Sequence, residues 1–75
     1  MDIRKLFGDN VRHYRLAAGL SQEAVAERMG VDRAYVSLIE RGEQNATLLS
    51  VHEAAQALRV KPADLLADPP GEPAA

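Results

Sequence analysis

Ser21-Gln22-Glu23-Ala24-Val25-Ala26-Glu27-Arg28-Met29-Gly30-Val31-Asp32-Arg33-Ala34-Tyr35-Val36-Ser37-Leu38-Ile39-Glu40-Arg41-Gly42 divides into two short amphipathic stretches on either side of a glycine. Val25, Ala26 and Met29 recur at the three- and four-residue intervals that put side chains on one face of a helix. Gly30 follows at once, and a residue without a Cβ can take the left-handed conformation that ends a helix and turns the chain sharply. Asp32 is expected as an N-cap whose carboxylate accepts from the free N–H groups of the next turn, so a second helix is predicted to begin at Arg33. Val36 and Ile39 supply its buried stripe. Arg33, Ala34, Ser37 and Leu38 are left facing outward, with Tyr35 at the side and Arg41 near the end.

A second helix braced across a first is a shape that the DNA major groove is wide enough to admit. Further residues narrow the reading: Phe7-Gly8-Asp9-Asn10-Val11-Arg12, Arg15, Gly19-Leu20-Ser21-Gln22, Tyr35-Val36-Ser37 and Ile39-Glu40-Arg41-Gly42, then Asn45, Thr47, Leu48, Ala55, Ala57-Leu58, Val60, Pro62 and Leu65-Leu66. In this set the chain resembles the phage-repressor-like (Cro/C1, XRE) helix-turn-helix family, over nearly all of its length before the proline-rich end. Asp32-Arg33-Ala34-Tyr35-Val36-Ser37, Glu40-Arg41-Gly42 and Asn45 are similar to the controller proteins of restriction-modification systems. The resemblance implies an all-α, compact five-helix, lambda-repressor-like domain with helices two and three as the helix-turn-helix. It also implies a transcriptional regulator that reads a two-fold symmetric operator in double-stranded DNA as a homodimer.

Specific roles follow from that resemblance and from the side-chain chemistry. Gln22, in the first turn of helix two, is expected to turn its amide to a DNA phosphate beside the free N–H groups of the helix end. Arg33 is expected to make a bidentate contact to guanine O6 and N7, the commonest specific base contact. Ala34 offers a methyl to thymine. Tyr35 either places its hydroxyl on a phosphate or base, or caps the edge of the core. Ser37 and Leu38 are lesser base contacts, Arg41, Gln44 and Asn45 hold the backbone, and Arg12 is a further phosphate candidate. Within the family the positions of Arg15 and Glu40 form an ion pair that joins helix one to helix three, a structural role. A dimer interface is expected around helix five, at Val60, Leu65 and Leu66. RNA polymerase is a partner compatible with regulation.

Along the chain, helix one is expected from about Asp2 or Ile3 to Ala17 or Ala18, with Ile3, Phe7, Val11 and Tyr14 on one side. Gly8 inside it costs roughly 1 kcal/mol against Ala, which close approach of a neighbouring helix would explain. Thr47 is an expected N-cap for helix four, with Leu48, Val51, Ala55 and Leu58 as its buried stripe. Arg59 stands where the family usually has glycine, which implies a strained or differently closed helix end. Pro62 is placed to open a fifth helix. Residues 1–67 are read as the DNA-binding domain and 68–75 as a disordered proline-rich tail.

The 75 residues allow a single core with three aromatics, Phe7, Tyr14 and Tyr35. Cysteine is absent, so disulfides and thiolate metal sites are excluded, and the chain fits a reducing cytoplasm. No apolar run approaches the ~20 residues of a membrane span. His13 and His52 are isolated, no nucleophile has an orienting base, and no catalytic residue, metal or cofactor is expected. The formal net charge of −2 is unusual for a DNA binder, but it is uneven. Residues 1–42 hold seven Lys or Arg against six Asp or Glu, and residues 43–75 two against five. The alternatives are an antitoxin that represses its own operon and a protein-binding adaptor that uses the acidic half.

Overall fold

Each helix begins and ends where local chemistry dictates. In the computed structural model, which describes residues 1–68, α-helices span Ile3–Ala17 (α1), Gln22–Met29 (α2), Arg33–Glu40 (α3) and Leu48–Leu58 (α4), and a 3₁₀ turn spans Pro62–Leu66. No strand occurs among the described residues. The domain is therefore all-α, but the expected fifth helix is corrected to a 3₁₀ turn. Two features keep it short: Pro69 disfavours helical backbone at the residue before it, and Asn10 claims carbonyls at its end. The Asn10 amide nitrogen donates to Leu65 O at 3.0 Å and to Ala67 O at 2.6 Å. All of the expected tail except Asp68 lies outside the described residues.

Three helices open on side-chain caps. Asp2 Oδ1 accepts from the Arg4 N–H, Ser21 Oγ from Ala24 and Thr47 Oγ1 from Ser50, each at 3.0 Å. Asp32 departs from expectation: it has the extended N-cap backbone, yet its carboxylate makes no capping hydrogen bond. The turn at Gly30 and the burial of Val36 and Ile39 set the start of α3 without it.

All four helix ends share one closure. Gly19, Gly30 and Gly42 have φ of +70°, +73° and +73°, and the N–H of the next residue reaches back, Leu20 to Arg15 O at 3.0 Å, Val31 to Ala26 O at 2.9 Å and Glu43 to Leu38 O at 3.0 Å. At the end of α4 the Val60 N–H reaches Ala55 O at 3.0 Å in the same way, but the left-handed residue is Arg59, with φ +57°. Of the two expectations for Arg59, the strained one holds, because the closure is unchanged and a side chain has been fitted to it.

The core lies where α1, α2, α3 and α4 meet. Phe7, Val11, Val25, Met29, Val36, Ile39, Val51, Ala55, Leu58 and Leu65 are buried there. Gly8 lets α1 lie close against α3: a Cβ on it would collide with the Ile39 carbonyl. Two expected stripe residues prove to be at the surface, Ile3 and, at 87% exposure, Leu48. Both sit in the first turn of their helix, beyond the reach of the elements that cover the rest of the stripe.

Candidate nucleic-acid interface

The outward helix of the pair is fixed from behind. Arg15 Nε donates to Glu40 Oε2 at 2.6 Å and Arg15 Nη2 to Glu40 Oε1 at 2.9 Å, so the planar guanidinium meets both carboxylate oxygens. Arg15 Nη1 also donates to Leu20 O at 3.0 Å. The two side chains are only 12% and 5% exposed, and the pair ties the last turn of α1 to the last residue of α3. The hydrogen bond to Glu40 holds the Arg15 guanidinium above its ordinary pKa, against the opposing effect of burial. α3 is thus anchored at its C-terminal end, by the close approach of Gly8 to the Ile39 carbonyl and by Arg15 against Glu40.

What α3 presents outward follows from its period. Arg33 and Ser37 are one turn apart, as are Ala34 and Leu38, so the four form two adjacent rows. Arg33 and Ala34 are exposed, and Ser37 and Leu38 are half-buried. Gln22, expected to turn its amide to a DNA phosphate, is in contact with α3: its Nε2 donates to Glu40 Oε1 at 3.2 Å, and its Oε1 accepts from Arg33 Nη1 at 3.3 Å. Arg15, Glu40, Gln22 and Arg33 therefore form one continuous set.

Other expected contacts are placed elsewhere. The Tyr35 hydroxyl lies 2.8 Å from Ser50 Oγ, which the Thr47 hydroxyl also reaches at 3.1 Å, so Tyr35 closes the edge between α3 and α4. Arg41 pairs with Glu43 at 3.2 Å on the surface. Arg4 Nη1 reaches Asn45 Oδ1 at 3.5 Å, and Gln44 lies along an apolar groove with Ala46 and Thr47. Arg12 is exposed on α1. Of the residues expected in a dimer interface, Leu65 is corrected: it is 0% exposed, packed inside its own domain by the 3₁₀ turn. Val60 is half-buried against the core, and Leu66 remains at the surface. The groove, of about 220 Å³, is walled by Ile3, Phe7, Leu48, Val51 and Leu66.

Three contributors were not assigned from the sequence. Asn10 is fully buried and holds the 3₁₀ turn to α1. Its position three residues after Phe7 and one before Val11 puts it on the buried stripe, which was a legible signal. Arg28 Nη1 donates to Ala57 O at 3.0 Å and bridges α2 to the end of α4. Arg4 steadies Asn45. Nothing in the spacing of either arginine marks its distant partner. Among the described residues no group of His, Asp or Glu is arranged to hold a metal ion, and no helix is long and apolar enough to cross a membrane.

A compact helical domain that braces one short helix across another and leaves the second outward is a helix-turn-helix protein. The chain belongs to the helix-turn-helix family HTH_3, whose pattern matches residues 11–65. It is 44% identical over 66 residues to the control protein C.BamHI of Bacillus amyloliquefaciens, covering 87% of this chain and 82% of that protein. The crystal structure of the restriction-modification controller protein C.AhdI from Aeromonas hydrophila superposes with a TM-score of 0.79 at 42% identity, covering 83% of this chain and 90% of that one. The controller protein C.Esp1396I bound to a 19 base pair DNA duplex superposes with a TM-score of 0.78 at 28% identity, covering 87% of each chain.

Proposed function

We propose that this chain is a sequence-specific DNA-binding transcriptional regulator that acts as a homodimer on a two-fold symmetric operator, in the role of a restriction-modification controller protein. The observation that carries the reading is α3 itself, anchored through Glu40 and outward at Arg33, Ala34, Ser37 and Leu38, in a fold shared with a controller protein that binds a duplex. Arg33 reads guanine through its fork of donors, Ala34 meets a thymine methyl, and Ser37 and Leu38 line the base edges. The second N–H of Gln22 Nε2, with Arg12, Arg41 and Asn45, takes phosphates. Tyr35 acts mainly through Ser50, as part of the wall behind α3.

Size supports two copies. A 19-base-pair duplex is about 65 Å long at ~3.4 Å per step, whereas the longest dimension of this domain is 36 Å. The apolar groove is the surface proposed for pairing, because Leu48 and Leu66 stand exposed on its rim and a two-fold interface brings the same patch of both copies together. Contact with RNA polymerase follows if the regulator activates, and transcription from a promoter bearing the selected site tests it.

Selection of bound duplexes from a randomised pool tests the whole reading. The expected product is a two-fold symmetric motif whose half-sites lie about 34 Å or a multiple apart. Arg33→Ala is expected to relax preference at one position per half-site, where a good bidentate pair is worth about 1–3 kcal/mol. Recovery of no motif, with no salt-sensitive binding to any duplex, would favour the protein-binding adaptor.

A further inference from the structure

The four residues that run from the interior to the reading face have a chemical polarity. Glu40 Oε1 accepts both from Arg15 Nη2 at 2.9 Å and from Gln22 Nε2 at 3.2 Å. Gln22 Oε1, at the other side of the same amide, accepts from Arg33 Nη1 at 3.3 Å. A carboxylate offers only acceptors and a guanidinium only donors, so an amide between them has one acceptable orientation, nitrogen toward Glu40 and oxygen toward Arg33. The Arg15 ion pair in turn holds the Glu40 side chain in place.

We infer that Gln22 is a positioning residue for base recognition: anchored by Glu40, it holds the Arg33 guanidinium ready for guanine before DNA arrives. The inference rests on the guanine-reading role proposed for Arg33. An exposed arginine otherwise samples many rotamers, and ordering it on binding lowers affinity by about two- to tenfold. The bond to Gln22 uses one Nη1 hydrogen and leaves the Nε and Nη2 edge free for the bidentate contact. Since only one of the two Nε2 hydrogens is engaged by Glu40, a phosphate contact by Gln22 is compatible with this role. The two roles separate cleanly. A phosphate contact changes affinity for every duplex alike, whereas positioning of Arg33 changes the ratio between duplexes.

The test uses Gln22→Met, which keeps the length and helix propensity of the side chain but removes both polar contacts. The probes are the duplex that the parent protein selects from a randomised 19-base-pair pool and its derivatives with each guanine replaced. Gln22→Met is expected to shrink the parental guanine preference by about two- to tenfold, to leave the preference of an Arg33→Ala background unchanged, and to unfold at close to the parental temperature. Gln22→Glu, which keeps an acceptor for Arg33 but sets a carboxylate against Glu40, is expected to lose the preference as well; a parental ratio there overturns Glu40 as the anchor. A parental ratio in Gln22→Met, with Arg33→Ala having lost it, overturns the positioning role and leaves the guanine reading standing. A parental ratio in Arg33→Ala removes the guanine reading, and the inference with it.

Discussion

Two residues show how a single Cβ decides local energetics in this domain. Arg59 occupies the left-handed position that glycine fills at Gly19, Gly30 and Gly42, with φ +57°. A Cβ in that conformation costs about 1–2 kcal/mol, and glycine would give back part of this through its freer unfolded chain, about 0.4–1 kcal/mol. Arg59→Gly is therefore expected to stabilise the domain by about 0.5–1 kcal/mol, a rise of a few degrees in Tm for a chain of this size, and thermal unfolding measures it. Gly8 is the opposite case. Alanine there gains roughly 1 kcal/mol of helix propensity, but its methyl meets the Ile39 carbonyl, a backbone atom that cannot turn aside. α1 and α3 must separate, and the net expectation for Gly8→Ala is a loss of about 1–3 kcal/mol, the usual range for overpacking. Sequence revealed the oddity of both positions, a glycine inside a helix and an arginine in a glycine site. It did not reveal the Ile39 carbonyl, because the crossing of two helices separated by some thirty residues leaves no local trace.

At the scale of elements, the bond between α1 and α3 outweighs any single cap. Removing one partner of a nearly buried ion pair strands the other charge, at about 3–5 kcal/mol, a large part of the ~5–15 kcal/mol that holds a domain together. Glu40→Ala is thus expected to lower the denaturant midpoint sharply. The cap of α1 has a pH signature. Hydrogen bonds from the Arg4 side chain, and then from the Arg4 N–H, hold the exposed Asp2 carboxyl below its usual range. A group with a lowered folded pKa contributes stability that is full above the unfolded value of about 3.9 and is lost as pH falls through the folded one. The stability gap between the parent and Asp2→Ala should therefore hold steady from neutrality to about pH 4 and narrow below it, as urea titrations at each pH would show. Helix bounds, the cap at Thr47 and the Arg15–Glu40 pair were legible, since periodicity, cap chemistry and family resemblance act within reach of one another. The silent carboxylate of Asp32 and the shortened fifth element were not, because turn geometry and Asn10 decided them.

For the whole molecule, charge and surface argue in the same direction. With a net charge of −2 and Arg41 already paired to Glu43, few cations are free to release counterions from DNA. A binder with 6–10 phosphate contacts loses about 10³–10⁵ in affinity between 50 and 200 mM salt; this protein is expected to lose less than about 10³ over that range. A shallow electrostatic contribution leaves more of the affinity to base contacts, and one α3 offers few of them, a shortfall that the proposed pairing of two copies would make up. The exposed leucines are consistent with that demand. Leu48 makes almost no use of its side chain within its own domain, being 87% exposed on the rim of the apolar groove, so replacing it removes little folding energy and any loss belongs to a partner. Leu48→Glu is expected to fold with a Tm close to that of the parent, to sediment as a monomer where the parent sediments as a dimer, and to retain weak half-site binding while losing most of its affinity for the symmetric duplex. A Leu48→Glu protein that still sediments as a dimer would move the interface away from this groove. A parent that sediments as a monomer at high concentration, with DNA and without it, would remove the dimer altogether.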